Sequence, residues 1–366
     1  DVVFTYNDLI YNPDIPNSAK DVLSVDGKKF KIKAIDKFTV EFELPDLFAP
    51  FLLNLSQPIL PYHKLNSFVK SKKFLFVWGI DTNPKDIVGT GPYKIEKYLF
   101  GQRILLKKNN FRQAHIENIS ISIIPYKETA LLKFLRGQLD IIPISGEDFG
   151  YIKEHKNLDK KFNIYDIGPE LGSQFIVFNQ SNKHSNKLFL DENFRKAVSY
   201  AIDRGAIIDN IYYGMAIPQY GPLTNADALF FNPQISAYEY DPKKALKLIK
   251  KTGFKNIEFN LLTASESPER IAMCNIIKDD LKKIGIKVNV IALQFNLLVN
   301  KITSTYDWDC ILIGLTGGID PHFGKNVWAK NGQLHMWNRD AKENYTKWEQ
   351  EIDDIFNKAV KEMDIA

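Results

Sequence analysis

Apolar residues recur along this chain in two rhythms, and the switch from one to the other marks out its elements. Phe30, Ile32 and Ala34 alternate with polar positions, Asp36-Lys37 turns, and Phe38, Val40, Phe42 and Leu44 alternate again. A period of two is the signature of a strand with one buried face, so this segment predicts a β-hairpin. Tyr93, Ile95 and residues 104–106 predict a second hairpin around Gly101, and Ile119, Ile121 and Ile123 a further strand. Residues 128–136 switch to helical spacing, with Leu131, Leu132 and Leu135 among the apolar positions, and 137–142 return to a strand. A strand, helix, strand order predicts an α/β unit with a parallel pair. Residues 1–9 begin as a helix, with Val2, Val3, Tyr6 and Leu9 on one side, and 48–55 form a short apolar helix.

From about residue 166 the helices lengthen. Residues 175–178 are an apolar run ending at Asn179. Asp191 caps a helix with Phe194, Ala197, Val198, Ala201 and Ile202 at helical spacing, and a second helix over 203–213 stops at Gly214. Asp241-Pro242 opens another helix, with Ala245, Leu248 and Ile249 inward and Lys243, Lys244, Lys247, Lys250 and Lys251 on a solvated face. Ile257, Phe259 and Leu261 alternate as a strand. Ser267-Pro268 then opens a long helix carrying Ile271, Cys274, Ile277, Leu281 and Ile284, ended by Gly285. Ile286, Val288 and Val290 give the next strand, and a short helix follows near 297–302. Residues 306–321, YDWDCILIGLTGGIDP, open with two acids, run through apolar 310–313 and break into Gly314, Gly317 and Gly318. This pattern predicts a buried strand that delivers a loop, the usual place for binding groups.

A length of 366 residues exceeds one ordinary core and predicts two or three domains. Hydrophobic residues at 45% and charged residues at 25% make the chain globular rather than disordered. The 25 Phe and 16 Tyr suit a protein that lines a cavity as well as a core. A net charge of +4, with acids and bases interleaved, argues against nucleic acid as partner. Cys274 and Cys310 lie in apolar patterns without a CxxC, which predicts buried thiols rather than a disulfide scaffold or zinc ribbon. No apolar run is long enough for a membrane-spanning helix. No leader is visible, and the chain opens in mid-pattern and stops inside a helical one, so it is expected to be a piece of a longer protein lacking both ends.

Candidate chemistry is sparse. Gly89 and Gly91 are followed by neither Lys-Ser/Thr nor a helix, so they mark a turn rather than a phosphate loop. Asp307 and Asp309 share a face if extended and raise the carboxylate pair of a glycosidase, but they sit at the entry of the strand where solvated acids are usual. Asp320, His322 and His335 fit no defined metal motif and are weak metal candidates. HExxH, GxSxG and Cys–His signatures are absent, so no enzyme is expected. Trp328 and Trp337 flank a Gly-Gln-Leu-His turn and read either as core or as a cavity wall.

Several segments together resemble the family 5 extracellular solute-binding proteins of ABC importers, which include oligopeptide-, dipeptide- and nickel-binding proteins. They are Val88-Gly89-Thr90-Gly91-Pro92-Tyr93-Lys94 with 105–112, Phe178-Asn179 with 194–204 (FRKAVSYAIDR), Tyr240-Asp241-Pro242-Lys243-Lys244-Ala245 with Gly253-Phe254, 281–288 (LKKIGIKV), and the 306–321 stretch. The resemblance implies an α/β, two-lobe periplasmic-binding-protein-like fold of type II with an extra subdomain, its mixed sheets flanked by helices. Residues 1–83 would be the extra subdomain of lobe I, 84–165 part of lobe I and 166–366 lobe II, with the ligand held between lobes. It implies a peptide-capturing, monomeric component of an ABC importer that closes by a hinge and delivers to the permease. No cofactor is implied, and the location is the periplasm or, as a lipoprotein, the cell surface. From position, backbone groups of Leu315, Thr316, Gly317 and Gly318 are expected to bind the ligand, with Gln174, Phe175, Trp328 and Trp337 lining the cavity. The sequence departs from the family pattern in one place. Leu315 stands where a tryptophan is usual, and Gly318 where an aspartate normally holds the peptide ammonium, with Asp320 two positions late. Binding of a non-peptide solute such as a metal chelate is the alternative, in which His322 and His335 would matter.

Overall fold

A computed structural model describes residues 1–364 apart from 18, 80, 182–185 and 340–344. The chain divides into two units, Asp1–Pro143 together with the segment from Val360, and Ile144–Ala359. No described helix is long and apolar enough to cross a membrane.

The first unit opens with a helical turn, Val2–Phe4, that widens into a π-helical Thr5–Ile10 and buries Tyr6, Leu9 and Ile10. A two-residue ribbon, β1 (Ser24–Val25) and β2 (Lys28–Lys29), leads into the hairpin β3 (Lys31–Ala34) and β4 (Val40–Glu43), with Ile32 opposite Phe42. Tyr6, Leu23, Val25, Phe30, Ile32 and Phe48 form its core, which Val360 joins. Phe38 does not share the buried face its alternation predicts: it is 89% exposed. Asp36 Oδ1 accepts from Phe38 N at 2.7 Å and Oδ2 from Thr39 Oγ1 at 3.0 Å, so the turn extends through residue 39 and leaves Phe38 at its tip.

Further along, β5 (Tyr93–Leu99), β6 (Arg103–Lys108) and β7 (Asn118–Ser122) form an antiparallel meander with an irregularity between Ile95 and Lys97. The helix Lys127–Leu135 follows as predicted. The returning strand at 137–142 and its parallel pair do not form: 138–142 have no ladder partner among the described residues, and Ile141 is 88% exposed. An apolar run becomes a strand only where a neighbour takes its N–H and C=O groups, and no described strand pairs with this one.

Parallel pairing occurs instead in the second unit. Its four-stranded sheet has the order β10 (Lys287–Leu293), β9 (Glu258–Ala264), β11 (Cys310–Leu315), β8 (Ser173–Phe178), parallel except for the β8–β11 pair. Alternate residues feed two cores. Phe259, Leu261, Cys310 and Leu312 pack with Phe194, Ala197, Ile249, Cys274 and Ile277 from three helices, Glu192–Ala201, Pro242–Thr252 and Pro268–Lys283. Leu262, Ala264, Ile311 and Ile313 face the other way, onto Leu298, Ile302, Trp308 and Trp337. Strands buried on both faces read as continuous apolar runs, as β11 does. The predicted caps are in place: Asp191 accepts from Phe194 N at 3.0 Å and Asp241 from Lys244 N at 2.8 Å, with Pro242 at the first helical position.

Candidate functional site

The candidate loop leaves the sheet at the carboxyl end of β11, beside the start of its antiparallel neighbour, with Gly314 opposite Gln174 and Leu315 opposite Ser173. Its glycines are required by space. A Cβ on Gly317 would lie 2.0 Å from Leu171 O, one on Gly172 2.7 Å from Leu315 O, and one on Gly314 2.7 Å from the Gln174 amide. The run expected to free backbone for a ligand therefore first lets two backbones of this chain pack against each other. Thr316, Gly317 and Ile319 are left exposed on the outer side.

Gln174 and Phe175 are adjacent on β8 and so point to opposite faces. Gln174 is exposed, and its Oε1 accepts from Arg270 Nε at 2.7 Å. Phe175, like Leu293, Leu315, Val327 and Trp328, is partly buried against the core of Ile311, Ile313 and Trp337 on the other side of the sheet. Arg270 is a residue the sequence reading missed. It stands in the first turn of Pro268–Lys283, where the helix dipole disfavours a cation. That placement was the available signal. Its Nη groups have no hydrogen-bond partner among the described residues.

Asp320 caps the short turn Pro321–Gly324, its Oδ1 accepting from His322 N at 2.8 Å. His322, within that turn, is buried. Trp328 is half-buried, 5.4 Å from Trp337 between ring centroids. Trp337 itself is 7% exposed, in the core, and its Nε1 donates to Glu349 Oε1 at 3.1 Å. His335 is fully buried with its ring nitrogens on Val327 O (3.1 Å) and Glu349 Oε1 (3.0 Å), so it is committed to the interior rather than turned to solvent. Glu349, also fully buried, accepts in addition from Asn338 and Thr346. Burial pushes its carboxyl up, but the hydrogen bonds from His335, Thr346 and Asn338 outweigh this and bring it down to about 2. Among the described residues no group of three or more His, Cys, Asp or Glu side chains is placed to hold a metal ion.

The remaining candidates lie elsewhere. Asp307 and Asp309 stand at the entry end of β11, away from the loop. Asp307 Oδ2 pairs with Lys301 at 2.7 Å, and Asp309 Oδ2 accepts from Asn260 N at 3.0 Å and Nδ2 at 3.1 Å. Both cysteines are buried and free. Burial pushes the Cys274 thiol up to about 12 and holds Cys310 well above its usual value, so neither supplies a thiolate.

The second unit is a mixed sheet packed between helices that ends in an exposed, backbone-lined loop, and the first is made of hairpins and short helices. The chain belongs to the bacterial extracellular solute-binding proteins, family 5, whose middle-region model matches residues 1–333. It is 27% identical over 402 residues to a probable ABC transporter-binding protein of Deinococcus radiodurans, covering 97% of this chain and 68% of that one. It is 25% identical over 403 residues to the oligopeptide-binding protein AppA of Bacillus subtilis, covering 98% and 69%. Among solved structures it resembles the periplasmic binding protein DppA of Helicobacter pylori in complex with the peptide STSA, at a TM-score of 0.79 and 23% identity over 99% of this chain and 70% of that one. The fold is thus the periplasmic-binding-protein-like one that the sequence motifs imply.

Proposed function

We propose that this chain is the substrate-binding component of an ABC importer, capturing peptides by hinge closure on the face formed by the 314–320 loop and delivering them to the permease. The observation that carries this reading is the pairing of an exposed backbone loop with Arg270, held through Nε by Gln174 with its Nη groups unengaged. Backbone groups of Leu315, Thr316, Gly317 and Gly318 would pair with a peptide main chain, and the guanidinium fork would take a carboxylate. Asp320 would supply the partner for an ammonium through the oxygen its cap leaves over. Trp328 would form a wall, with Trp337 behind it and Phe175 supporting it from the core. The names of the Bacillus and Helicobacter relatives, both peptide binders, support the ligand class.

The same reading makes the protein a binder without catalysis, since Asp307 and Asp309 are engaged by Lys301 and Asn260 and both thiols stay protonated. It makes the protein a monomer without nucleic-acid partners, exported to the periplasm or held at the cell surface as a lipoprotein. Residues 1–83 would be the extra subdomain, 84–165 part of the first lobe and 166–366 the second. A non-peptide solute such as a metal chelate is the second reading, favoured by one feature: Gly318 stands where the family pattern has an anchoring aspartate, and Asp320 is already a cap.

Native mass spectrometry of the purified full-length protein, before and after mild denaturation, tests both. A spread of small masses fitting short peptides is the expected result. A single discrete non-peptide mass would replace the first reading with the second. Arg270→Ala is expected to weaken peptide binding at least tenfold, on the basis that a charged hydrogen bond contributes about 1.5–3 kcal/mol.

A further inference from the structure

A buried polar cluster lies behind the proposed ligand wall, in the part of the chain that the family match at 1–333 does not reach. Its centre is the Glu349 carboxylate. Oε1 accepts from His335 Nε2 at 3.0 Å, Trp337 Nε1 at 3.1 Å and Asn338 Nδ2 at 3.1 Å. Oε2 accepts from Asn338 Nδ2 at 3.1 Å, Thr346 N at 2.7 Å and Thr346 Oγ1 at 2.8 Å. The second ring nitrogen of His335 meets Val327 O at 3.1 Å. Both ring nitrogens of His335 therefore lie against oxygen atoms of the chain, one on the Glu349 carboxylate and one on the Val327 carbonyl. The cluster fixes two things next to Trp328: the backbone carbonyl of the residue before it, and the plane of the Trp337 ring, 5.4 Å away. Trp337 in turn stacks on Trp348 at 6.1 Å and lies 4.1 Å from the His335 ring.

A buried ionic cluster is a poor way to gain stability, because desolvation cancels most of the attraction and apolar packing does as well. What it supplies is direction, since each hydrogen bond sets a ring plane or a carbonyl that apolar contacts leave loose. We propose that Glu349 and His335 are positioning residues that hold Trp328 in its ligand-facing orientation. The inference rests on the reading that Trp328 lines the ligand face.

The experiment separates the two. Full-length protein labelled with 5-fluorotryptophan gives a 19F resonance for each of the five tryptophans of this chain, assigned by single Trp→Phe variants. Glu349→Gln is expected to move the Trp337 and Trp328 resonances and leave those of Trp78 and Trp308 in place. His335→Gln keeps the donor to Glu349 and loses the contact with Val327, so it is expected to move Trp328 even if Glu349→Gln does not fold. Binding to an equimolar pool of tri- to pentapeptides is expected to weaken about tenfold in His335→Gln, the scale of one lost buried hydrogen bond. A Trp328 resonance that stays in place in His335→Gln overturns the inference, leaving the cluster a purely stabilising role. So does a moved resonance with unchanged affinity in a protein where Trp328→Ala does lose binding. If the resonance moves and neither variant changes affinity, the positioning stands and the assignment of Trp328 to the ligand face falls.

Discussion

Within the residues described, the two larger sheets are buried to opposite degrees. In the β8–β11 sheet of the second unit, side chains on both faces are buried, and Leu261, Cys310 and Ile311 are almost fully enclosed. In the β5–β7 meander of the first unit no apolar side chain is buried, and among the described residues from 66 to 151 only Asn109 is. Phe100, Phe111 and Tyr126 stand more than two-thirds exposed around it. Both sheets have continuous ladders, that of β5–β6 with one irregularity between Ile95 and Lys97, so hydrogen bonding does little to distinguish them. Burial does, and burial is what converts a ladder into a stable core. The second sheet can hold a loop to a fixed geometry, and the candidate site is on it.

The largest effect expected from this contrast is in the second unit's core. Phe194 is fully buried and in ring contact with Phe178, Phe189 and Phe259. Phe194→Ala should cost about 3–5 kcal/mol, read by urea unfolding of the full chain. A loss below about 1 kcal/mol would mean that this core is looser than its burial implies.

Next in size is the pH dependence of the helix Lys347–Ala359, which the Glu349 cluster ties to 335–338. A carboxyl held at about 2 in the folded protein, against 4.5 unperturbed, contributes stability that is complete above 4.5 and is lost as pH falls from there toward 2. At about 1.4 kcal/mol per unit the contribution is about 3 kcal/mol. Denaturant midpoints at pH 6 and pH 3 should differ less in Glu349→Gln than in the wild type. An equal difference in both would assign the acid sensitivity to other carboxylates.

How much of this was legible beforehand divides along the same line. The second unit's strands and helices could be read from the sequence because each carries its own signals: Asp191, Asp241 and Ser267 open helices through side-chain caps, β9 and β10 begin as alternating apolar positions, and β11 is an apolar run. Residues 137–142 do not form the predicted strand because a strand exists only with a partner, and the sequence pattern does not reveal one. At the candidate site, the loop was legible from Gly314, Gly317 and Gly318, but the reason for the glycines was not, since Leu171 and Gly172 meet them only in three dimensions. Gln174 and Phe175, both expected to line the cavity, go to opposite faces because successive residues of a strand alternate. The Glu349 cluster had a readable trace, because Thr346 and Glu349 have the spacing of a capping box ahead of an apolar helical run.

Glycine substitutions sharpen the comparison at a smaller scale. Gly317→Ala sets a Cβ 2.0 Å from a backbone oxygen held by the rigid sheet, so the loop must move, at a cost of about 1–3 kcal/mol. Gly101, in the β5–β6 turn, has open space around it but a φ of +66°, so Gly101→Ala should cost about 1 kcal/mol from backbone strain alone. Only the first should also weaken peptide binding, measured by calorimetry. Equal loss of affinity in both would remove the loop from the ligand face.

The smallest expected effect is the one that can break the comparison outright. Ile104 sits in β6, the central strand of the meander, and pairs with Tyr98 and Ile121, yet it is only half-buried. Truncation there removes little buried area and leaves no closed cavity, so Ile104→Ala should cost less than about 1 kcal/mol. Amides of β5–β7 should likewise exchange with solvent faster than those of β9 and β11. The two measurements fail in different ways. Slow exchange with a small mutational cost would mean that the ladder alone protects these amides. A cost on the scale of Phe194→Ala would mean that the apolar face of β6 is covered in solution, and the sheet's exposure would no longer separate it from the one that carries the site.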